Sequence, residues 1–588
     1  MMGRLLAVFS ALLGFAVAAV GAERSTEISL IPWPASFEPA NGSLTIDAQT
    51  QVVFDGGAGV REVAHYFGDL LRQSRGLRPV IVQGTAQDAP KRAVVFALAP
   101  GGANPEAYRL EVSSKGAVLT ASDPRGLFNG AVTLWQLATL DSADAAEVRV
   151  PAARISDAPR LRWRGLLLDS ARQYQSVDFI KRYLDFMALH KLNVLHWHLV
   201  DDHAWRLQVP KFPKLTGGLS SYSAAEVREV VTHAATRNIT VVPGLEMPGH
   251  ATAAATAYPS LRAADSPTND TYLYNVEEET FAFFDAVISE VAALFPGEFI
   301  HIGAGEAPYE QWQQSSSVQA RMRELGIINE FRLQRYFFER ITALVARHQR
   351  RIVGWDGLLI GGVPGNSVVM TAKGLDGALT AAASGHEVVV SSGSGLSLNL
   401  PQSTVASERD SAGDILSLGD VYRFDPAPTV LSAQDRSRLI GVQANVWTRT
   451  DGNEQDIEAM TFPRAAALAE IAWTPAVQLR WAPFQRRMVA MLGRYSRLGI
   501  RYSDAAFRAM VFNRGENGDR VSIELAKQVP LGEIRYTLNG SEPTAKSAVY
   551  TDVFEAPRSM TLKAAVFYNG EPLTQATAID LNTGALGQ

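Results

Sequence analysis

The segment HIGAGEAPYEQW (301–312) places one carboxylate, Glu306, after a short apolar run and two glycines. A glutamic acid at the end of a strand can act as a general acid when its surroundings raise its pKa towards the working pH. The residue directly before it is Gly305, so no second acid stands beside it. The segment therefore predicts half of an acid-catalysed site, whose partner must come from elsewhere in the chain.

Further polar and aromatic residues follow other apolar runs of the chain. They are Asp169 and Arg172; His196, His198, Asp201, Asp202 and Trp205; Glu246 and His250; Trp355 and Asp356; and Trp447 and Arg449. Indole rings stack on the apolar faces of pyranoses, and arginine or carboxylate forks bind pairs of hydroxyl groups. If the strand ends meet, this set predicts a sugar-binding site.

Each of these residues also has a simpler interpretation. His196 lies within a strand and is expected to be structural, Asp169 and Arg172 could form a local ion pair, and the tryptophans could fill a rim. A metal site from His196, His198, Asp201 and Asp202 is conceivable. Two histidines at i and i+2 on a strand do not define a ligand triad, so we expect no metal.

The order of apolar runs and amphipathic windows predicts the fold that positions these residues. Eight strand-like runs alternate with helical windows between about 153 and 500: 163–169, 193–199, 239–245, 298–303, 351–355, 367–372, 387–392 and 440–447. Eight regular units favour an α/β fold of the parallel (β/α)8 TIM-barrel type over a doubly wound sheet. A barrel gathers side chains at the carboxyl ends of its strands into one mouth.

The barrel is expected to be flanked by two smaller domains. Residues 23–152 mix short strand patterns with two helical patterns, which predicts an α+β domain. Residues 501–588 are strand-patterned, and an Asn-Gly turn at 539–540 joins two apolar runs, so we expect a β-sandwich there. The barrel itself is assigned to 153–500.

The chain begins with a pattern typical of export. Residues 1–22 combine Arg4, an apolar run and small residues ending at Ala22, which predicts a cleaved signal peptide; a membrane anchor is the alternative. None of the 588 residues is cysteine, which excludes disulfides and thiolate sites. We therefore expect a periplasmic or extracellular protein with no membrane segment in its mature form.

The overall composition is that of an ordinary globular protein. Hydrophobic residues make up 47% of the chain, charged residues 20%, and the net charge is −5. This balance argues against a nucleic-acid partner, because proteins that bind nucleic acids have a strongly basic surface. The sequence contains no signal for an oligomeric state.

Five stretches of the chain resemble glycoside hydrolase family 20, the β-N-acetylhexosaminidases, which include chitobiase-like enzymes. They are RWRGLLLDSARQY, ALHKLNVLHWHLVDDHAWRLQVPKFPKLT, EMPGHATAAATAYPSL, FIHIGAGE and FPRAAALAEIAW. The resemblance covers nearly all of the mature chain and implies the same three-domain order. It also implies an exo-acting hydrolase of glycans that needs no cofactor.

The resemblance assigns roles to residues already singled out. In this family the substrate's own 2-acetamido oxygen attacks the anomeric carbon, and a glutamic acid protonates the leaving oxygen. Glu306 would be that acid, tuned by His250 and Glu246. The substrate-binding residues implied are Arg172, which would hold ring hydroxyls, Asp201 and His198, which would support the site, and Trp355 and Trp447, which would wall the sugar.

Four positions depart from the family pattern. The aspartate that precedes the catalytic glutamate, and orients the acetamido group, is Gly305 here. The family's Tyr-Leu-Asp after the seventh strand is Ser397-Leu398-Asn399, and a glutamate after the eighth is Arg449. The mouth loses three carboxylates and gains a guanidinium, so we expect Arg449 and Asn399 to bind a sugar that carries an anionic group.

Three interpretations of function remain open from the sequence. The first is an exo-acting β-N-acetylhexosaminidase with altered specificity. The second is a related glycosidase acting on an anionic or non-acetylated β-glycoside, with a nucleophile such as Glu246, Asp201 or Asp356. The third is a catalytically weak carbohydrate-binding homologue on the same scaffold.

Overall fold

The computed structural model describes residues 27–140, 146–263, 273–305, 307–360, 362, 365–404, 414–428, 431–583 and 586–587. The predicted signal peptide (1–22) and the predicted acid Glu306 lie outside the described residues. Within these ranges, no helix combines the length and the hydropathy needed to cross a bilayer.

The N-terminal part of the chain forms one mixed sheet covered by two helices. Its strands lie in the order β1-β7-β5-β6-β4-β2-β3. The strands are β1 (Ser36–Asp47), β2 (Gln51–Asp55), β3 (Val80–Gln83), β4 (Val94–Leu98), β5 (Tyr108–Ser113), β6 (Gly116–Ala121) and β7 (Glu147–Asp157), and the helices are α1 (Ala58–Arg75) and α2 (Pro124–Leu137). The expected domain end at residue 152 falls inside β7.

A closed barrel of eight parallel strands occupies the middle of the chain, as the sequence predicts. The strands are β8 (Trp163–Asp169), β9 (Val194–His198), β10 (Thr240–Met247), β11 (Phe299–Gly303), β12 (Arg351–Trp355), β13 (Val368–Thr371), β14 (Glu387–Val390) and β15 (Leu439–Val446). Every residue of β8 and β15 is buried, because a barrel strand is covered on one face by helices and on the other by packed interior side chains.

Helices alternate with the barrel strands and begin at local capping signals. Ser223 and Glu226 form a reciprocal capping box at the start of α4, and Asn329 caps α9. The helices are α3 (Val177–Leu189), α4 (Ala224–Thr236), α5 (Thr252–Ala257), α6 (Glu278–Leu294), α7 (Glu310–Gln314), α8 (Ser316–Glu324), α9 (Glu330–Arg347), α10 (Gly374–Ala383), α11 (Gly393–Leu396), α12 (Leu418–Arg423), α13 (Ala433–Arg438), α14 (Glu454–Thr461), α15 (Arg464–Trp473) and α16 (Trp481–Leu498).

The C-terminal part consists of two antiparallel sheets with a shared core, as expected for a sandwich. One sheet has the order β16-β17-β20, and the other has β19-β18-β21-β23-β24 with β22 beside β21. The strands are β16 (Met510–Asn517), β17 (Arg520–Ala526), β18 (Glu533–Thr537), β19 (Ala548–Val549), β20 (Phe554–Pro557), β21 (Thr561–Tyr568), β22 (Glu571–Pro572), β23 (Thr577–Asp580) and β24 (Leu586–Gly587). Ile523 of one sheet and Leu562 of the other belong to the same buried cluster.

A buried polar cluster joins the first sheet to the barrel. The Asp157 carboxylate accepts hydrogen bonds from Tyr108 Oη at 2.6 Å, from Lys191 Nζ at 3.1 Å and from Trp473 Nε1 at 2.9 Å. Asp157 ends β7, Lys191 precedes β9 and Trp473 ends α15, so three distant segments meet at one carboxylate. Since Lys191 lies just before β9, these contacts join the first sheet to the barrel at the amino-terminal end of that strand.

Candidate active site

Arg172 is held between two carboxylates at the mouth of the barrel. Its Nη1 lies 2.7 Å from Oδ2 of Asp169, the last residue of β8, and its Nη2 lies 2.8 Å from Oδ2 of Asp201. Although burial lowers the pKa of Arg172, Asp169 and Asp201 outweigh it and raise that pKa. The guanidinium is thus charged, fixed in orientation and still one quarter exposed to the mouth.

Asp201 also connects His198, the last residue of β9, with His250, which follows β10. His198 Nε2 lies 3.0 Å from Asp201 Oδ2, and His250 Nδ1 lies 3.3 Å from Asp201 Oδ1. Burial tends to raise the pKa of Asp201, but the bonds to His198 and His250 dominate and hold it far below its usual value. Asp201 is therefore ionised and serves as the central acceptor of the site.

His250 has a second, closer partner in Asp202. Nδ1 of His250 lies 2.8 Å from Asp202 Oδ2, while Thr252 Oγ1 donates to Asp202 Oδ1 at 2.6 Å. Burial lowers the pKa of His250, but the bonds to Asp201 and Asp202 reverse this and raise it to about 11. His250 is consequently an imidazolium at neutral pH.

Glu246 is buried on β10 and packs against the end of β11. A Cβ on Gly303 would lie 2.1 Å from Glu246 Oε2, so the carboxylate occupies space that only a glycine leaves free. Glu246 Oε1 lies 3.5 Å from His198 Nδ1, and neither atom has a hydrogen-bond partner among the described residues. Burial raises the pKa of Glu246 to about 7, against the opposing effect of His198.

Two further histidines lie deeper in the barrel and are neutral. The rings of His196 and His301 are 4.1 Å apart, and both side chains are fully buried. Burial lowers the pKa of His301 to about 3 and that of His196 well below its usual value. His196 therefore lies beneath the mouth as part of the interior, where the sequence places it.

Two indoles form one side of the mouth. The rings of Trp355 and Trp447 are 6.1 Å apart and inclined at 45°, and the guanidinium of Arg172 lies 5.2 Å from the Trp447 ring. Trp447 also meets the His198 ring edge-on at 5.2 Å. This arrangement offers an aromatic face beside a fixed cation, which suits a ring with one apolar face and several hydroxyl groups.

The backbone that leads to Glu306 is tightly packed. Gly303 and Ala304 both have positive φ, 76° and 62°, and a Cβ on Gly357 would lie 1.9 Å from Ala304 O. Positive φ is unusual for alanine, so neighbouring packing must hold this turn. At Gly305, by contrast, a Cβ would first meet Trp355 Cδ1 at 3.4 Å, which leaves room for a side chain.

Asn399 and Arg449 lie beside this cluster rather than within it. Both line a cleft of about 510 Å³, here called the side cleft, which is bordered by Gln173 and extends to Arg501 and Arg508. Arg449 is more than half exposed and binds Asp451 at 2.9 Å. Asn399 Oδ1 is buried and has no hydrogen-bond partner within the part of the chain that the structure describes.

The fourth departure from the family pattern is Ser397, which is buried and forms an isolated bridge with Asn445 of β15. Among the described residues, Asp201, Asp202 and His250 bring potential metal ligand atoms within 4.8 Å of one another. The protonated His250 already donates to these carboxylates, so the geometry fits an ion-paired network.

The structure brings together seven of the predicted site residues: Arg172, His198, Asp201, Glu246, His250, Trp355 and Trp447. Asp169 and Asp202 are predicted from the sequence only as members of a polar cluster, and Thr252 and Gly303 are not predicted from it. Asp202 could have been found as the second acid of the Asp-Asp pair that follows β9. The role of Gly303 depends on contact between β10 and β11 and has no signal in the sequence.

Comparison with known proteins is consistent with this geometry. Residues 161–476 match the model of the glycosyl hydrolase family 20 catalytic domain. Residues 27–158 match domain 2 of the same family, and residues 512–578 match the chitobiase/β-hexosaminidase C-terminal domain.

Individual relatives are similar over most of the chain. A β-hexosaminidase of Porphyromonas gingivalis is 32% identical over 91% of this chain and 72% of its own length. A β-N-acetylhexosaminidase of Cellulomonas fimi is also 32% identical, over 81% of this chain and 96% of its own. The crystal structure of an exo-β-N-acetylglucosaminidase from Vibrio harveyi superposes with a TM-score of 0.75 at 28% identity, covering 81% of this chain and 78% of that one.

Proposed function

Because the chain belongs to glycosyl hydrolase family 20, we propose that it removes terminal β-linked hexosamine sugars from glycans with Glu306 as the general acid. It is a glycoside hydrolase of the exo-acting β-hexosaminidase type, and its substrate is a glycan. The identity of the terminal sugar, its linkage and the roles of individual residues are parts of the proposal.

The observation that carries the proposal is the fixed guanidinium of Arg172 beside two indoles. Asp169 binds its Nη1 atom and Asp201 its Nη2 atom, and one quarter of the side chain remains exposed. A sugar ring that stacks on Trp447 would therefore present its hydroxyls to a donor that is already oriented. Such preorganisation lowers the entropy cost of binding and fixes the anomeric carbon relative to the strand end that precedes Glu306.

The chemical step would follow the substrate-assisted route of the family. The 2-acetamido oxygen attacks the anomeric carbon while Glu306 protonates the leaving oxygen, and water then opens the intermediate. Gly305 supplies no carboxylate to orient the acetamido group. The space beside Trp355 that a side chain at 305 would fill is therefore available to the substrate.

The side cleft supports a sugar that carries an anionic group. It adjoins the mouth through Gln173, contains Arg449, and includes Asn399, whose Oδ1 atom is buried without a hydrogen-bond partner among the described residues. A bidentate arginine binds a sulfate, phosphate or carboxylate strongly, whereas its exposed pair with Asp451 contributes little to stability. Arg449 can therefore exchange Asp451 for a substrate anion at low cost.

Hydrolysis of p-nitrophenyl N-acetyl-β-glucosaminide by the mature protein tests the proposed reaction. Glu306→Gln should abolish turnover, whereas Glu310→Gln, an exposed glutamate at the start of α7, should retain it. Turnover that survives in Glu306→Gln would contradict the assignment of the acid. Sugar binding without turnover by a folded wild-type protein would favour the carbohydrate-binding interpretation.

Comparison of this substrate with its 6-sulfate tests the anionic specificity. The wild type should hydrolyse the sulfated sugar with the higher kcat/KM. Arg449→Ala should lower kcat/KM for the sulfated sugar by about tenfold or more and should change kcat/KM for the neutral sugar little. Arg423→Ala removes an equally exposed arginine, paired with Asp420 on α12, and should change kcat/KM for neither sugar. Equal losses on both sugars would rule out this specificity.

We also propose that the protein is exported through its residues 1–22. The apolar run and the small residues before Ala22 support cleavage there. Mass spectrometry of protein recovered from the culture medium and cell envelope should find a chain that begins at Glu23. An intact Met1 in that fraction would contradict the proposal.

A further inference from the structure

A cavity of about 890 Å³ lies at the end of the barrel opposite the mouth and is called here the floor cavity. The first residues of six barrel strands line it: Trp163, Val194, Thr240, Phe299, Arg351 and Glu387. Because the barrel strands are parallel, their first residues lie at the end away from Arg172 and Trp447, which follow the carboxyl ends. The floor cavity is therefore separate from the candidate active site, and its volume falls in the range of about 300–1,000 Å³ that is typical of small-molecule sites.

The N-terminal part of the chain supplies one wall of the floor cavity. Pro105 and Glu106, which precede β5, and Arg125 at the start of α2 all line it. Nη1 of Arg164, a residue of β8, lies 3.1 Å from Glu106 Oε2 and holds this wall against the barrel. The cavity is thus built where two domains meet, and ligand sites often occur at such places.

Two aromatic rings form much of the apolar surface of the floor cavity. The rings of Trp163 and Phe299 are 5.6 Å apart and inclined at 55°. Trp163 Nε1 donates to Gln443 Oε1 at 3.3 Å, and a Cβ on Gly165 would lie 2.6 Å from that nitrogen, so the indole is held against its own strand. Phe299 is partly exposed, and the guanidinium of Arg351 lies 5.2 Å from its ring. The cavity therefore contains an aromatic surface whose orientation is fixed.

A network of charged side chains surrounds these rings. Glu387 accepts hydrogen bonds from Arg162 Nη2 at 2.8 Å and from Arg351 Nη2 at 2.7 Å, and Arg351 Nη1 donates to Glu298 at 2.9 Å. Although burial tends to raise the pKa of Glu387, the bonds from Arg351 and Arg162 outweigh it and lower that pKa, so the carboxylate is ionised. A carboxylate has about four acceptor sites and a guanidinium five N–H donors, so the network can bind further hydroxyl groups.

The charges that line the floor cavity balance one another. They are three arginines and three glutamates: Arg125, Arg162, Arg351, Glu106, Glu298 and Glu387. A balanced set gives neither a cation nor an anion a net electrostatic attraction, whereas hydroxyl groups can use both the donors and the acceptors. Together with the aromatic surface, this balance favours a neutral ring that carries several hydroxyl groups.

We propose that the floor cavity binds a neutral saccharide. The apolar C–H face of one sugar ring packs against Phe299, and its hydroxyl groups form hydrogen bonds with Glu387 and Arg162. This site goes beyond the proposed function, because it lies at the end of the barrel away from the reaction. It gives the protein a second, noncatalytic contact with glycans.

Calorimetry with N,N′-diacetylchitobiose, a neutral disaccharide, tests the floor cavity. The Glu306→Gln background prevents hydrolysis of the sugar, and we expect two binding events per chain. Phe299→Leu removes the ring but keeps an apolar side chain, so it should weaken one event by at least about tenfold and leave the other unchanged. Trp447→Ala, at the mouth, should have the opposite effect on the two events.

A variant on the exposed rim keeps the test independent of packing inside the barrel. Arg162→Ala removes a side chain that is 75% exposed, and it should weaken the event that Phe299→Leu weakens by about tenfold. The matched control is Arg347→Ala, which removes another exposed arginine, the partner of Asp285, and should change neither event.

Three outcomes would overturn the inference. The first is a single binding event that Trp447→Ala removes and Phe299→Leu leaves intact. The second is an equal effect of Arg162→Ala and Arg347→Ala on sugar binding. The third is displacement of the sugar from the Trp447→Ala protein by p-nitrophenol, because the cavity would then select an aromatic ring. If the mouth binds no sugar and the proposed function fails, the floor cavity should still give one event that Phe299→Leu weakens.

Discussion

Arg172 Nη2 lies 2.8 Å from Oδ2 of Asp201, the same oxygen that faces His198. One carboxylate thus orients both the guanidinium that faces the mouth and a buried imidazole. Asp169 and Asp201 are almost fully buried, so removal of their common cation leaves Asp169 without its ion-pair partner, while Asp201 keeps its contacts with His198 and His250.

Arg172→Ala should therefore cost stability as well as activity. We expect the free energy of unfolding to fall by roughly 3–5 kcal/mol, the range for one partner lost from a buried ion pair. Arg449→Ala breaks an exposed pair and should change the free energy of unfolding far less. Urea denaturation of both variants measures the difference, and equal losses would contradict the buried role of Arg172.

Glu246 should make stability depend on pH below neutrality. Its pKa is raised from 4.5 to about 7, so the folded protein holds this proton more tightly than the unfolded chain does. This contribution is lost as pH rises from about 4.5 to 7, by up to about 3 kcal/mol. Urea denaturation across this pH range should show that the free energy of unfolding of the wild type falls relative to that of Glu246→Gln as pH rises. Parallel dependences of the two proteins on pH would contradict this prediction.

His250 should remain charged well above neutral pH because of Asp202. With its pKa raised to about 11, its contribution to stability is complete below pH 6.5 and is lost as pH rises towards 11. Asp202→Asn should shift two features to lower pH: the loss of the stability that charged His250 contributes, and the alkaline limb of the dependence of activity on pH. The control is Asp185→Asn, which removes a more exposed carboxylate, the partner of His233. A shift of the alkaline limb in the control, or none in Asp202→Asn, would argue against the pairing.

Gly305→Asp should restore the carboxylate that the family places before its acid. A Cβ at this position makes only an ordinary van der Waals contact with Trp355, so the change should leave stability within about 0.5 kcal/mol. We expect turnover of a 2-acetamido substrate to rise about a hundredfold, the usual effect of one preorganised electrostatic partner. Gly305→Asn adds the same volume without the charge, and an equal rise there would assign the effect to shape.

The sequence predicted the barrel well because the signal is local and repeated. Each of the eight apolar runs coincides with a barrel strand to within two residues at either end, as between 351–355 and β12. Domain limits carry less signal, since β7 continues the first sheet through residue 157 with no break at the predicted boundary.

The amino-acid sequence by itself determined which residues end the strands, and hence that Arg172, His198, Asp201, Glu246, His250, Trp355 and Trp447 would share one mouth. It also determined that Gly305 bears no carboxylate. Only the tertiary structure decided that Asp202 is the closest partner of His250, that Glu246 packs on Gly303, and that Asn399 and Arg449 line a separate cleft. These contacts join segments distant in the chain, and their distances depend on strand register and side-chain packing, which periodicity does not encode.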